Sequence, residues 1–332
     1  MNSNLNLKDL IGVIRGYMVS KALFVAHELD IFDRLANGGK NASELTYETN
    51  ASEKGIGRLC NALSGVGLLV KEDDKYFLPD NLREFLLKDG KNSFRSYIDL
   101  IHMYWYIWSD LEKVVREGKP ATSIMELIGK DEGKLKSFIH GMHDRAKEAS
   151  PLILEVVDIS DRRRMLDVGG GPGTYSLEWM KVNAKLKATI LDLPHVLKIT
   201  KDYAKRYGME DRVSFISGNF HEVDFEKESY DLILMANILV MYSPEENRKL
   251  IKKAYESLEE SGMVLIHGYA LEDNECEPIG SALFALSMFL ATSNGTAYKK
   301  SEQMEWLKET GFKDMRCFEI DAIPSTVITA IK

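Results

Sequence analysis

The residues best placed to do chemistry are Asp167-Val168-Gly169-Gly170-Gly171-Pro172-Gly173, which follow the apolar pair Met165-Leu166 and precede Tyr175, Leu177, Trp179 and Met180 at helical spacing. Strand, glycine turn and helix in that order make a nucleotide site. Glycine lets the backbone approach a ligand with no Cβ in the way, and the start of the helix presents N–H groups without partners in the chain. The next apolar run, Ala188-Thr189-Ile190-Leu191, ends in Asp192, whose carboxylate can accept hydrogen bonds from both hydroxyls of a ribose. A dinucleotide fingerprint read from Gly169 puts Thr174 at its third glycine position. The acid at Asp167 suits instead a ligand with an amino-acid tail, because a carboxylate two residues ahead of the first glycine can meet an ammonium directly or through water.

Histidines and aromatics form the second set of candidates. His140 and His143 stand three apart beside Asp144, so a helix puts both imidazoles on one face. Two histidines without a third ligand do not make a metal site, and no metal is expected; a place in a substrate pocket and a packing or surface role both stay open. Tyr97, His102, Met103, Tyr104, Trp105, Tyr106 and Trp108 crowd one short stretch. That density reads as a helix buried on several sides, as the wall of an apolar pocket for a flat or greasy substrate, or as both.

Two kinds of chain must position these groups. From Ile11 to Leu87 apolar residues recur at helical spacing, broken at Asn37-Gly38-Gly39-Lys40 and Thr49-Asn50-Ala51-Ser52, with Ser43 and Ser52 as the expected caps of two short helices. Gly67-Leu68-Leu69-Val70, the turn Glu72-Asp73-Asp74 and Tyr76-Phe77-Leu78 read as a hairpin. Helix, helix, hairpin is a winged-helix pattern, but the helix that would enter DNA offers only Lys54 and Arg58 as cations and carries Glu53, which argues against nucleic acid and for a structural or dimer-forming module. From Arg164 onward strands alternate with helices: Val213–Ile216 ending in Gly218-Asn219-Phe220, Tyr230–Met235, a helix from Pro244 to Leu258, Met263–His267, and a last helix and strand pair ending in Val327–Ala330. The expected fold is α/β, a C-terminal Rossmann-like doubly wound sheet behind an N-terminal, mainly α, winged-helix-like domain. The expected division is a dimerisation domain at 1–100, a helical connector at 101–155 and a ligand-binding domain at 156–332.

Composition narrows the function classes. Against 43 basic residues stand 51 acidic ones, a net charge of −8, which is not the footprint of a nucleic-acid binder. No unbroken run of about 18 apolar residues spans a bilayer, so a membrane-embedded protein is not expected. Cys60, Cys276 and Cys317 lie far apart and match no zinc spacing, and the N-terminus has no secretory pattern, so a cytoplasmic protein with reduced thiols is expected.

Residues 166–176, with ATILDLP at 188–194 and the GNF end of the third strand, resemble the class I S-adenosylmethionine-dependent methyltransferases. SKALFVAHELDIFDRLANG at 20–38, ASEL at 42–45, GRLCNALSGVGLL at 57–69, YFLP at 76–79, WYIWSDLEKVVREGKP at 105–120 and FIHGM at 138–142 are similar to the caffeic acid O-methyltransferase-like family of plant phenolic, hydroxyindole and bacterial polyketide enzymes. The resemblance runs in order over nearly the whole chain. It implies a homodimer, S-adenosyl-L-methionine as cofactor, and a small hydrophobic or aromatic substrate in a pocket between the domains. It further implies that Gly169, Gly171 and Gly173 wrap the methionine part, that Asp192 holds the ribose and Leu193 touches the adenine, and that Asn219 and Phe220 flank the base. Trp105, Met142, Met288 and Phe289 are the expected pocket wall.

One feature of the family is missing. Its O-methylating members carry a His-Asp pair in a stretch ending His-Asp-Trp after the fourth strand, and here Val240-Met241-Tyr242 falls on that stretch; the family's supporting glutamate falls near Ala297. A positioned base typically contributes about 10²–10⁴-fold. Methyl transfer to a carbon, a thiolate or an already ionised hydroxyl needs no such base and is the favoured reading. A relocated base, with His143, His140 and His267 as catalytic candidates and His102 behind them, is the second. A related enzyme that keeps the cofactor without transferring its methyl, as a hydroxylase, decarboxylase or pericyclase, is the third, followed by a non-enzymatic binding protein and a winged-helix DNA-binding regulator.

Overall fold

A computed structural model describes residues 5–120, 123–129, 131–323 and 325–332, which divide into two compact units, Met1–His102 and Met103–Lys332. The first opens with α1 (Leu7–Glu28), capped by Asn6 and Asp9, and continues through α2 (Ile31–Arg34), β1 (Lys40–Asn41), α3 (Ala42–Thr49), α4 (Glu53–Gly65), β2 (Val70–Glu72), β3 (Lys75–Phe77) and α5 (Asp80–Leu86). The strands pair antiparallel in the order β1-β3-β2 beside α3 and α4, the winged-helix arrangement. Ser52 caps α4 as expected, its Oγ accepting from the Gly55 N–H at 3.1 Å. Ser43 does not cap α3: Asn41 does, accepting from the Glu44 N–H at 2.9 Å while its own N–H donates to the Glu44 carboxylate at 2.8 Å. That reciprocal pair satisfies two otherwise unpartnered groups at once, which a lone serine two residues further on cannot do.

The apolar side chains of α4 (Ile56, Cys60, Leu63) close on Phe24, Ile31, Phe32 and Leu45 to form the core of this unit. Much of α1, by contrast, stays bare: Val13 is 70% exposed and Ile14 62%, with Leu10, Tyr17 and Met18 beside them. Its 22 residues give a rod of about 33 Å, and the best window reaches a mean hydropathy of 1.3 with 17% of it buried. By length and composition alone it could cross a bilayer, so scattered charges such as Arg15 and Lys21, not a lack of apolar length, are what denied it an unbroken run.

The aromatic-rich helix α6 (Arg95–Trp108) leads from the first unit into the second, which begins with α7 (Leu111–Glu117), α8 (Ile124–Gly129) and the long α9 (Glu132–Val156). Then follow β4 (Arg164–Val168), α10 (Thr174–Val182), β5 (Lys187–Asp192), α11 (Pro194–Tyr207), β6 (Val213–Ser217), β7 (Tyr230–Ala236), α12 (Pro244–Ser257), β8 (Leu258–Gly268), α13 (Ile279–Ala291), α14 (Lys300–Thr310), β9 (Lys313–Ile320) and β10 (Ser325–Ile331). The seven-stranded sheet runs β6-β5-β4-β7-β8-β10-β9. It is parallel from β6 to β8, and β10 then enters antiparallel between β8 and β9, with Val327 opposite His267.

Alternation along the strands explains the two covered faces. Met165, Leu232, Leu234 and Leu265 point into a core shared with α9, α10 and α11, while Leu166, Val168, Ile233, Met235 and Ile266 point into one shared with α12 and α14. Trp179 anchors the first core and Trp306 the second, both almost fully buried. The strand order reverses between β4 and β5 on one side and β7 on the other, which places the ligand crevice at the carboxyl end of β4.

Candidate active site

The turn after β4 is built by backbone conformations that favour glycine. Gly169, Gly171 and Gly173 have φ of +62°, +56° and +74°, and the Gly173 N–H closes the turn on the Gly170 carbonyl at 2.8 Å. A Cβ at Gly169 would lie 2.3 Å from Ile238, and one at Gly173 2.6 Å from Ile190; at Gly171 nothing lies within 4 Å, because that residue faces open space. The opening is a cavity of about 260 Å³, against about 30 Å³ for a liquid water, so it takes a molecule and not merely solvent. Its lining lies between Ile128 and Tyr242, all within the second unit.

Two carboxylates frame the glycines. Asp192 accepts the Gly171 N–H at 2.8 Å through one oxygen and the Leu193 N–H at 2.7 Å through the other, and burial still raises its pKa above the usual carboxylate value. Asp167 accepts the Ser176 hydroxyl at 2.6 Å through Oδ2, while its Oδ1 is buried with no partner among the described residues. Burial pushes this carboxyl up to about 7. A buried oxygen left without a hydrogen bond is costly and marks a place where a ligand donor belongs.

These features fit S-adenosylmethionine. Asp167 offers an acceptor for its ammonium, the Gly171 opening a cradle for its tail, Asp192 the remaining lone pairs of a carboxylate for a ribose, and Leu193, Asn219 and Phe220 a border to the cavity beyond β5 and β6. Asn219 is partly engaged, accepting the His221 N–H at 3.0 Å and donating to Glu222 at 3.2 Å. All eight residues expected for cofactor binding are thus gathered at one crevice, with Gly173 shaping the turn from behind.

The other wall comes from α9 and from the turn after β7. Leu135, Phe138, Ile139 and Met142 form one stripe of α9 along the cavity. Asn237, in the left-handed region at φ +57°, donates its N–H to the His267 carbonyl at 2.7 Å, and the following 3₁₀ turn, Leu239–Met241, carries Met241 to the lining together with Tyr242. Val240 turns away and is buried. The position of the family's histidine therefore brings no ionisable group to the cavity, and Ala297, near the expected glutamate, is buried and apolar.

None of the three candidate bases lines this cavity. His140 Nδ1 meets the Tyr203 hydroxyl at 2.5 Å, and His143 Nδ1 meets the Thr174 hydroxyl at 2.8 Å with its ring 4.2 Å from that of Tyr203, so both tie α9 to α10 and α11. Burial lowers His143 to about 4 and His140 in the same direction. His267 is enclosed between the Tyr175 hydroxyl and the Ser325 hydroxyl, each at 3.1 Å, and burial lowers it to about 3. His102, in the first unit, stacks on Phe24 with ring centres 4.7 Å apart. The lining histidine is His195, exposed at the start of α11 beside Leu193 and thus on the cofactor side.

Of the four expected wall residues Met142 lines the cavity, and Trp105, Met288 and Phe289 do not. Met288 is packed into α13, where its carbonyl accepts the Thr292 hydroxyl at 2.7 Å. Polar lining residues that escaped the sequence reading include Arg145, His195 and Asn237. Arg145 gave no signal, since it reads there as a solvated helix cation; Asn237 gave none, because its conformation is imposed by the turn it sits in.

A family model for the O-methyltransferase domain matches residues 108–313, and one for the O-methyltransferase dimerisation domain matches residues 11–84. The chain is 25% identical over 311 residues to the 3-hydroxy-5-methyl-1-naphthoate 3-O-methyltransferase of Streptomyces sahachiroi, covering 92% of this chain and 90% of that one. It is 26% identical over 347 residues to the L-tyrosine C(3)-methyltransferase of Streptomyces lavendulae, covering 99% and 93%. Human N-acetylserotonin methyltransferase, solved with S-adenosylmethionine, superimposes with a TM-score of 0.89 at 23% identity, covering 100% of this chain and 99% of that one. With its cofactor crevice and both domains matched in order, the chain belongs to the O-methyltransferase family and is an S-adenosylmethionine-dependent methyltransferase.

Proposed function

We propose that this enzyme methylates a small aromatic acceptor at a carbon, or at a heteroatom that is already ionised, and that it does so by positioning and not by general-base catalysis. The observation that carries the reading is the stretch of lining formed by Phe138, Ile139, Met142, Met241 and Tyr242, to which none of the candidate bases His140, His143 and His267 contributes; the lining imidazole among the described residues, His195, stands beside Leu193 at the start of α11, and the lining carboxylates Asp167 and Asp192 stand at the glycine turn. When bound, the cofactor supplies an electrophilic methyl group on a sulfonium. The chain's own residues then have three tasks. Asp167, Asp192 and the glycine turn fix the donor, the α9 stripe excludes water and holds a flat ring, and the rigid turn from Asn237 to Tyr242 limits how that ring can sit. Holding two reactants in line replaces an improbable encounter and can supply several kcal/mol of the barrier.

The names of the relatives support both outcomes, one acting at a naphthoate oxygen and one at a tyrosine carbon. A homodimer working in the cytoplasm belongs to the same reading: the bare apolar face of α1 lies in the segment matched to the dimerisation domain, and the three cysteines are free thiols. Incubation with methyl-labelled S-adenosylmethionine and a graded series of phenols tests the reaction. Turnover at pH 7 should climb steeply as acceptor pKa falls from about 10 toward 7, and carbon acceptors should yield a label that resists ether cleavage. Equal rates across the series would reveal a base and refute the proposal.

A further inference from the structure

A charged side chain stands in the otherwise apolar wall of α9. Arg145 shares the cavity stripe of Phe138, Ile139, Met142 and Ala146 at helical spacing, is half-buried, and makes no hydrogen bond or ion pair with any described residue. A guanidinium without a protein partner in such a wall is incompletely solvated, and an anion is the ligand that offsets that cost best. It shares the lining with Tyr175, whose hydroxyl meets His267 at 3.1 Å by the end of β8, whereas Asp192, Leu193 and Asn219 belong to the ends of β5 and β6, across β4 and β7 from there.

We propose that Arg145 selects the acceptor by pairing with an anionic oxygen on it, so that the substrate is an aromatic acid or a phenolate and not a neutral arene. The inference rests on the aromatic-acceptor reading above and narrows it. Five N–H donors in a planar fork match a carboxylate or a phenolate oxygen better than a lysine ammonium would, and the same charge holds a phenol in the ionised form that a missing base no longer has to generate.

The test uses the full-length protein saturated with S-adenosylhomocysteine and three fluorescent probes, 3-hydroxy-2-naphthoate, 3-hydroxy-2-naphthamide and 2-naphthol. If a carboxylate is the partner, the acid binds about ten- to a hundredfold more tightly than the other two at pH 7, as a charge-assisted hydrogen bond predicts. R145Q reduces that ratio to within about threefold, and R145K keeps part of it. If a phenolate is the partner, binding of the amide and the naphthol climbs with pH through each phenol's pKa in the unaltered enzyme and stays flat in R145Q. Equal binding of all three probes at every pH overturns the proposal, as does a tenfold loss of S-adenosylhomocysteine affinity in R145Q, which would give Arg145 to the donor instead. Loss of the aromatic-acceptor reading itself looks different: no labelled methyl reaches any phenol or aromatic acid while S-adenosylhomocysteine still binds.

Discussion

Replacing Asp167 by asparagine should make the free protein more stable and the cofactor complex weaker. Burial lifts this carboxyl to about 7 from an ordinary 3.8. Between those two values the folded chain keeps a proton that the unfolded chain has released, so stability falls as pH rises through that window. Three pH units at about 1.4 kcal/mol each put the cost of the ionised carboxylate on the order of 4 kcal/mol by pH 8. Asparagine retains an oxygen for the Ser176 hydroxyl and carries no charge, so Asp167→Asn should melt several degrees higher at pH 8, gain less than half as much at pH 5, and gain little below the ordinary carboxylate value. The same substitution removes the partner of the ligand's ammonium. In the unaltered enzyme, S-adenosylhomocysteine affinity should rise about tenfold per pH unit up to pH 7 and level off above it, because binding favours the ionised acid. Calorimetry at pH 7 in two buffers of different ionisation enthalpy should register about half a proton released per ligand bound, and none for the variant. A flat affinity profile in the unaltered enzyme, or a variant that binds like it and melts no higher, would refute the assignment of Asp167.

Two further outcomes separate structure from chemistry elsewhere. His143→Ala should cost on the order of 1–2 kcal/mol in denaturant melts through loss of the Thr174 bond and change turnover by less than about threefold; a tenfold fall in kcat at unchanged stability would make it the base after all. Val13→Glu places a charge in the bare face of α1 and should shift the protein from dimer to monomer in light scattering, whereas an unchanged dimer would move the interface away from this helix.

The crevice was legible in the sequence because backbone geometry leaves little choice there. Left-handed turns at Gly169, Gly171 and Gly173 demand glycine, and Asp167 and Asp192 sit at strand ends whose apolar runs are easy to see. What was hidden depends on partners distant in sequence. The spacing of His140 and His143 correctly put them on one helix, but only the fold supplies Tyr203 and Thr174 to occupy them. Arg145 looks in sequence like any solvated helix cation, and only the position of α9 over the carboxyl end of the sheet makes it a lining residue. The antiparallel entry of β10 was likewise invisible, since strand residues such as Val327 and Ile328 read the same in either direction.

The histidines the fold does provide are poor substitutes for the absent base, and the magnitudes explain why the burden passes to the acceptor. A positioned general base contributes about 10²–10⁴-fold, or about 3–5 kcal/mol. His267, enclosed between two hydroxyls and lowered to about 3, would have to take up a proton some three and a half pH units below the usual histidine value, a cost on the order of 5 kcal/mol. His143, lowered to about 4, pays on the order of 3 kcal/mol and faces Thr174 rather than the cavity. Each would forfeit about as much as a base could contribute. An acceptor that arrives ionised, or that attacks through carbon, avoids the cost altogether, and among the described residues the unpartnered guanidinium of Arg145 is the charged group on the α9 wall suited to favour such an acceptor over its neutral counterpart.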